Sequence, residues 1–353
     1  MPESARISRL IFGSAAAVQT LRKLSSLLLA VAVTFLGLLL VTFLIGRVVP
    51  VDPVLAVVGD RASAEVYEQA RLAMGLDLPL WQQFGLYVKD ALSGNFGVSV
   101  LTANPVLDDI KRVFPATLEL ATLGTLIGVA LGIPLGVIAA VYRDRWPDQT
   151  IRFIGLLGYS VPIFWLGLMG LLLFYARLDW VGGPGRLDIA YEYLVTPVTG
   201  LLLVDSLLAG EYTVFRNALS HIVLPAGLLG YFSLAYISRM TRSLMLEQLS
   251  QEYIITARVK GLSETRVIWR HALGNVQVPL ITVVALSFAN LLEGSVLTET
   301  VFAWPGLGQY ITYSLLNADM NAVLGGTLVV GAVFIGLNLF SDFLYRLLDP
   351  RAR

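Results

Sequence analysis

Long apolar runs alternate along the chain with short polar stretches, and the lengths of these runs predict the secondary structure. Six windows of 22 to 24 residues contain no Asp, Glu, Lys or Arg. A helix needs about 20 apolar residues to cross the hydrocarbon core of a bilayer, so each window can hold one transmembrane helix. The pattern therefore predicts an all-α polytopic membrane protein with six transmembrane helices. The windows comprise residues 24–46, 120–142, 153–176, 217–238, 271–292 and 320–341.

The windows also divide the chain into four parts. We expect residues 1–23 to form a leader and residues 24–112 to contain the first transmembrane helix and a large outer loop. Residues 113–348 are predicted to form a five-helix core, followed by a short tail at 349–353. A polar stretch at 247–275 interrupts this core and separates the fourth window from the fifth.

The distribution of positive charge predicts the orientation of the chain in the membrane. With the N-terminus inside, sixteen of the 25 Lys and Arg residues fall on cytoplasmic segments, and the remaining nine are spread over longer outer loops. Cytoplasmic loops of membrane proteins carry an excess of Lys and Arg. The sequence thus predicts an N-in/C-in topology in which the leader, the loop 247–275 and the tail are all cytoplasmic.

Composition agrees with a membrane protein and excludes several kinds of site. Hydrophobic residues make up 56% of the chain and charged residues only 14%, against roughly 25% charged in soluble domains. The absence of cysteine excludes disulfides and thiolate metal sites, and two histidines, His221 and His271, cannot form a His-rich metal site. A net charge of zero gives no indication of nucleic acid as a partner. The high hydrophobic content indicates that the chain is surrounded by membrane lipid.

The second window contains four glycines at a regular spacing. Gly124, Gly128, Gly132 and Gly136 recur every four residues, which places them on one face of a helix. Small residues at this spacing allow a neighbouring helix to approach closely. We expect this face to be a helix-packing surface, used between helices that move relative to one another.

The loop 247–275 has the signals of two short helices. Ser250 is placed to cap the first helix, Gly261 to end it, and Ser263 to cap a second helix that runs toward His271. A helix, a glycine hinge and a second helix form a surface for docking another protein.

Within the first of these helices Tyr253 and Ala257 share one face, because residues four apart lie above one another on a helix. We expect that face to contact a partner, with Arg258 or Lys260 meeting carboxylates at the rim of the contact.

Ionisable residues near the spans are candidates for a translocation path, since such residues are costly in a membrane. Glu293, beside Asn290 near the outer end of the fifth window, is the best candidate to line a path. Glu119 and His221 are more simply explained as interfacial or hydrogen-bonding residues.

The sequence contains no motif for nucleotide hydrolysis, metalloprotease or serine-hydrolase chemistry. A phosphate-binding loop requires a lysine after a glycine, and none of the four lysines follows one. Metalloprotease and serine-hydrolase motifs are also missing. The chain is therefore predicted to be a non-catalytic subunit whose energy comes from elsewhere.

Several strings of residues resemble the permease subunits of ATP-binding-cassette (ABC) importers. Ile255-Thr256-Ala257 stands at the place of that family's EAA motif, with Gly261 at its glycine. The longer string TARVKGLSETRVIWRHALGN, residues 256–275, is similar to the dipeptide, oligopeptide and nickel branch. Gly274 departs from that branch, which usually has Arg there. Further similar strings are MGLDLPLWQQ (74–83), PATLELA (115–121), GIPLGV (132–137), FAWPGLG (302–308) and LLDPR (347–351).

The resemblance implies an importer-type ABC permease fold in the bacterial inner membrane. It implies import of dipeptides or oligopeptides by alternating access, together with a second homologous permease, two cytoplasmic ATPase subunits and an extracytoplasmic solute-binding protein. No cofactor is expected on this chain, with ATP and Mg²⁺ held by the ATPase subunits. The residues implied to couple this chain to the ATPases are Glu252, Tyr253, Ala257, Arg258, Lys260, Gly261 and His271.

The sequence is compatible with two alternative functions. The same machinery could carry nickel, an opine or a glutathione-like solute, because the substrate is not readable from the permease sequence. A stand-alone secondary transporter is the alternative of another class. It would predict inverted repeats and paired ionisable residues at the membrane midplane, which the sequence lacks.

Overall fold

A computed structural model describes residues 25–26, 28–47, 53–59 and 61–348. The leader 1–23 and the tail 349–353 lie outside the described residues. Within the described residues the regular elements are helices, together with one isolated bridge between Val98 and Pro105.

The helices are numbered α1 to α14 in chain order. A π-helical turn, Leu171–Arg177, continues α7, a second one, Val267–Ala272, joins α11 to α12, and a 3₁₀ turn lies at Ile189–Tyr191. The bounds are α1 Leu28–Arg47, α2 Pro53–Val58, α3 Ala64–Ala73, α4 Leu80–Leu92, α5 Val106–Val141, α6 Trp146–Ser160, α7 Ile163–Gly170, α8 Leu202–Leu208, α9 Tyr212–Leu249, α10 Glu252–Val259, α11 Glu264–Arg266, α12 Leu273–Val301, α13 Leu307–Leu316 and α14 Met320–Leu348.

The predicted all-α polytopic membrane fold is confirmed. Among the described residues, five helices are long and apolar enough to cross a membrane: α1, α5, α9, the continuous run Glu264–Val301 and the Met320–Ser341 part of α14. A sixth crossing is counted if α6 and α7 with its π turn are taken together as one span.

The third predicted span is broken, which the apolar window 153–176 did not indicate. α6 and α7 are bent by 98° relative to each other. The break falls at Val161, whose backbone is extended, and at Pro162 directly after it. Proline has no N–H for the helical ladder and disfavours the helical conformation in the residue before it, and both effects favour a break at this pair.

The helices around the polar loop also differ from the sequence expectation. Ser250 does not cap α10: it lies at the C-terminal end of α9, where its hydroxyl donates to the Glu247 carbonyl at 2.8 Å. The helix after Ser263 is not a separate short helix but runs from Glu264 through the π turn into α12. Both corrections have one cause, since polar residues that extend past the membrane remain helical when they pack on neighbouring helices.

Two compact units divide the described residues. The first comprises the described residues up to Gly94 together with Thr327–Ile335. In it α4 packs on α1: the Phe43 ring lies 5.4 Å from that of Phe84 and 5.7 Å from that of Tyr87. The Tyr87 hydroxyl donates to Thr42 Oγ1 at 2.9 Å.

The second unit comprises Asn95–Gly326 and the described residues from Gly336. Its centre is the parallel contact of α5 and α9, in which the four regularly spaced glycines of α5 face α9. A Cβ added at Gly124 would lie 2.9 Å from Leu229 Cβ, and one at Gly136 would lie 2.6 Å from the Ser238 carbonyl oxygen. The glycines at 128 and 132 meet Ser233 and Ile237 in the same way.

α12 packs against both of these helices and completes the core. A buried hydrogen bond of 2.8 Å joins the hydroxyls of Ser233 on α9 and Ser287 on α12. One apolar cluster surrounds the first half of α5, with Leu120, Ile222 and Trp304 as its largest buried members. A second cluster surrounds the last turns of α5 and α9 and includes α10, and we call this end of the unit the α10 end.

Candidate functional site

α10 and the turn after it form the most distinctive surface of the second unit. Gly261 has a φ of +79°, and its N–H donates to the Arg258 carbonyl at 2.9 Å. The next N–H, of Leu262, donates to the Ala257 carbonyl at 3.2 Å, which completes a Schellman motif. The predicted helix end at Gly261 is present, and the positive φ explains why glycine is favoured there.

The buried face of α10 is made by Ile254 and Ala257, which are 0% and 8% exposed. Both belong to the apolar cluster at the α10 end, with Met245 and Val267 among its members. The structure therefore corrects the expectation that Ala257 faces a partner, because this small side chain allows α10 to lie close to its own chain.

The outward face of α10 contains apolar residues that sequence reasoning missed. Ile255 and Val259 are 55% and 82% exposed and lie four residues apart on one face. Tyr253 is also exposed, and its hydroxyl donates to Gln248 Oε1 at 2.9 Å. The sequence signal that could have identified this face was the spacing of four between the apolar residues Ile255 and Val259.

The charged residues of the loop have different surroundings. Arg258 donates two hydrogen bonds to Glu264, at 2.9 and 3.2 Å, across the glycine turn. Arg258 therefore has a carboxylate partner in its own chain, in an exposed pair, and its role as a rim charge stays a prediction. Glu252 and Lys260 are exposed. His271 lies in the π turn, where its carbonyl accepts from Asn275 Nδ2 at 3.1 Å.

A buried ion pair joins α6 to α9 beside this surface. Asp148 is fully buried, and the Arg242 guanidinium donates to its two oxygens at 2.6 and 2.7 Å. The Asp144 N–H also donates to Asp148, at 2.9 Å. A two-point pair of this kind fixes the α5–α6 turn to the end of α9. Its members are 94 residues apart in sequence, and the sequence gives no indication that they meet.

The opposite end of the second unit holds another polar network. Arg186 donates to Glu119 at 2.5 Å and lies 5.5 Å above the Trp304 ring. Glu119 also accepts from the Leu203 N–H at 2.8 Å. Glu119 is thus a buried, paired carboxylate that ties α5 to the first turn of α8 and to Arg186 in the segment before it.

Two titratable groups outside the membrane-spanning segments, Asp205 and Tyr310, have shifted pKa values. Burial alone would raise the pKa of Asp205, but the Thr199 hydroxyl and the N–H groups of Thr199, Gly200 and Val198 together lower it. Burial raises the pKa of the Tyr310 phenol, and the nearby carboxylates of Asp109 and Asp319 raise it further.

Glu299 is fully buried at the end of α12 and anchors the FAWPGLG segment. Its carboxyl accepts from the hydroxyls of Thr117 and Ser295, at 2.7 and 2.9 Å, and from the Gln309 N–H at 2.9 Å. The sequence analysis did not single out Glu299. Its burial depends on residues of α5 and α13 that are distant in sequence.

The candidate path residues lie on the other face of α12. Asn290 and Glu293 are exposed, whereas Ser287, Leu291 and Ser295 are buried against the core. The structure therefore groups Asn290 with Glu293 on a face that this chain leaves uncovered, and separates both from the loop at the α10 end.

Comparison with known proteins gives two matches to protein families. Residues 132–353 match the family described as binding-protein-dependent transport system inner membrane component. Residues 20–121 match the N-terminal region of a binding-protein-dependent transport system membrane component.

Characterised relatives match over most of the chain. The probable D,D-dipeptide transport system permease protein DdpB of Escherichia coli (strain K12) is 45% identical, over 89% of this chain and 92% of its own length. The di/tripeptide transport system permease protein DppB of Pseudomonas aeruginosa (strain UCBPP-PA14) is 43% identical, over 91% of this chain and 95% of its own. The dipeptide transport system permease protein DppB of Escherichia coli (strain K12) is 42% identical over the same shares.

Proposed function

Because the chain belongs to the family of binding-protein-dependent transport system inner membrane components, we propose that it carries peptides as one permease subunit of an ATP-driven importer. As a member of that family it is a multi-pass inner membrane protein. The observation that supports the proposal most directly is α10, which is seated on its own chain through Ile254 and Ala257 and presents Ile255 and Val259 outward.

We place the α10 end in the cytoplasm, with the N- and C-termini on the same side. Two ATPase subunits, which hold the ATP and Mg²⁺, would then bind this chain and a second homologous permease from the cytoplasm. An extracytoplasmic solute-binding protein would deliver the peptide at the opposite end. The excess of Lys and Arg on the segments at the α10 end supports this orientation.

The packing of α10 suggests how movement of an ATPase reaches the transmembrane helices. Ile254 and Ala257 share one apolar cluster with the ends of α5 and α9 and the start of α12. A force on α10 therefore acts on three spans together rather than on a flexible loop. Rigid-body motion of packed helices is an established route to alternating access, and the glycine face of α5 allows close sliding contact.

Peptides are the proposed substrate class because the relatives cited above are named for di- and tripeptide transport. Asn290 and Glu293 are proposed to line the path, since both lie on the uncovered face of α12. A carboxylate and an amide on that face can bind the ammonium and backbone groups of a short peptide.

The proposal is tested with the assembled transporter in proteoliposomes. ATP-dependent uptake of labelled dipeptide is expected with the wild-type chain. Val259→Asp places a charge in the ATPase contact and should lower ATPase binding and uptake together, by roughly tenfold or more. Val259 is 82% exposed, so this change leaves the folded chain intact.

Ile189→Asp is the matched control, because Ile189 is 87% exposed and lies far from α10 in the chain. It should leave ATPase binding unchanged. Equal loss in both variants would contradict the assignment of α10. Uptake by the chain alone, driven by an ion gradient, would contradict the ABC-permease proposal itself.

A further inference from the structure

A cavity between α6 and α9 near the α10 end has a composition that the transport function does not explain. Its volume is about 730 Å³, within the range of roughly 300–1,000 Å³ that is usual for small-ligand sites. It is separate from the outward face of α10 and from the exposed face of α12. The residues that define its chemistry are Gln149, Arg152, Phe153, Leu156, Tyr159 and Arg239.

The cavity has an excess of positive charge. Three arginines line it, Arg152, Arg239 and Arg242, and no carboxylate does. Asp148 neutralises Arg242 through the buried pair already described. Arg152 and Arg239 make no salt bridge within the described part of the chain, so two charges remain uncompensated.

Apolar and aromatic side chains of α6 make most of the remaining wall, which also includes the polar residues Gln149, Ser238 and Ser243. Arg152, Leu156 and Tyr159 follow one another at helical spacing, and the Arg239 guanidinium lies 4.9 Å above the Tyr159 ring. Along α6 the arginine precedes the apolar residues, and along α9 Arg239 follows Ala235. The positive charge is therefore concentrated toward the α10 end, with apolar surface next to it.

We propose that this cavity binds an anionic phospholipid, with the phosphodiester at Arg152 and Arg239 and an acyl chain along Leu156 and Tyr159. Basic cavities between transmembrane helices bind lipid head groups in the leaflet they face. A bound lipid supplies both properties that the cavity requires, a negative charge and a hydrocarbon chain. A free anion would satisfy only the two arginines and leave the apolar wall exposed.

The test measures lipid retained by the purified full-length chain in nanodiscs, using native mass spectrometry. Phosphatidylglycerol should be retained in preference to phosphatidylcholine. The double variant Arg152→Gln with Arg239→Gln should lower phosphatidylglycerol retention by roughly tenfold. The matched control, Arg143→Gln with Arg145→Gln, removes the same charge from exposed positions outside the cavity and should have no effect. Equal loss in the two double variants would show non-specific attraction and overturn the proposal.

A second variant tests the cavity without changing its charge. Gly155 lines the cavity, and a Cβ added there meets nothing within 4 Å, so Gly155→Trp starts a bulky side chain from a position without a steric clash. It should also displace the lipid, and full retention would overturn the proposal even if the arginine variant failed to fold. Displacement by millimolar inorganic phosphate would show an anion site instead of a lipid site.

The occupant in the assembled transporter is identified by photocrosslinking in membranes. A photoreactive benzoylphenylalanine in place of Leu156 should form an adduct with lipid. An adduct with an ATPase subunit or with the second permease would show that a protein covers the cavity, which would overturn the lipid assignment.

Discussion

At the scale of single residues, the ion pair of Asp148 and Arg242 shows how a buried charge can hold two helices together. Asp148 is 0% exposed and the Arg242 side chain 20% exposed, so neither can be fully solvated. Taking charges out of water is costly, and the cost is offset only while both partners and their hydrogen bonds are in place. The pair thus specifies the position of the α5–α6 turn more than it adds to net stability.

Replacing one partner should therefore destabilise the chain. Asp148→Asn leaves the Arg242 guanidinium partly buried without its counter-charge, and we expect a loss of about 3 kcal/mol in the free energy of unfolding. Unfolding in mixed detergent micelles, followed by circular dichroism, measures the change.

Asp144→Asn is the control, because Asp144 pairs with Arg143 at the exposed surface and such pairs contribute roughly 0–1 kcal/mol. Similar losses in the two variants would contradict the special role of the buried pair.

At the scale of elements, the contact of α5 with α9 depends on the absence of side chains. The four glycines of α5 face Leu229, Ser233, Ile237 and Thr241, which are themselves spaced by four. Matching spacing on two parallel helices allows one ridge to lie in the groove of the other. Close approach of the backbones then takes the place of large interdigitating side chains, as is common in membranes.

A single methyl group should disturb this contact. In Gly128→Ala the added Cβ would overlap Ser233 and lie 3.0 Å from its carbonyl carbon, and we expect a loss of about 1–3 kcal/mol from overpacking. The fraction of folded protein that remains after heating, measured by size-exclusion chromatography, ranks the stability of the variants.

Gly227→Ala on α9 is the matched control, since a Cβ there meets nothing within 4 Å and the gain in helix propensity is the same. If Gly128→Ala were as stable as Gly227→Ala, the steric explanation would be wrong.

At the scale of the whole molecule, the orientation in the membrane decides which surfaces meet which partners. Between Ile189 and Ser263 the long apolar helix is α9, so the two positions belong on opposite sides of the membrane. The chain contains no cysteine, which allows single introduced thiols to report their side.

Ser263→Cys should react with a membrane-impermeant maleimide only from the cytoplasm, and Ile189→Cys only from outside. Both positions are exposed, so access to the thiol is limited by the membrane and not by burial. Labelling of whole cells and of inverted vesicles provides the two sides. Reaction of both thiols from the same side would contradict the N-in/C-in proposal and the placement of the ATPase contact.

The sequence alone determined the features that depend on composition and local spacing. The apolar windows predicted where the membrane helices lie, because hydrophobic length must match the bilayer. Gly261 predicted the end of α10, because its positive φ is a local requirement of the backbone. The resemblance to ABC-importer permeases lies in contiguous strings of residues, so it could be recognised without knowledge of the three-dimensional structure.

The tertiary structure alone decided which residues are brought together and which faces remain exposed. The local sequence does not predict that Asp148 pairs with Arg242. It also does not predict that Ala257 is buried while Val259 is exposed. Both properties depend on how helices that are distant in sequence pack. Pro162 was present in the sequence, yet only the structure showed that the third span bends there by 98°. Burial is a property of the assembled fold. The pattern of polar and apolar residues along the sequence shows only which residues can be buried at low cost.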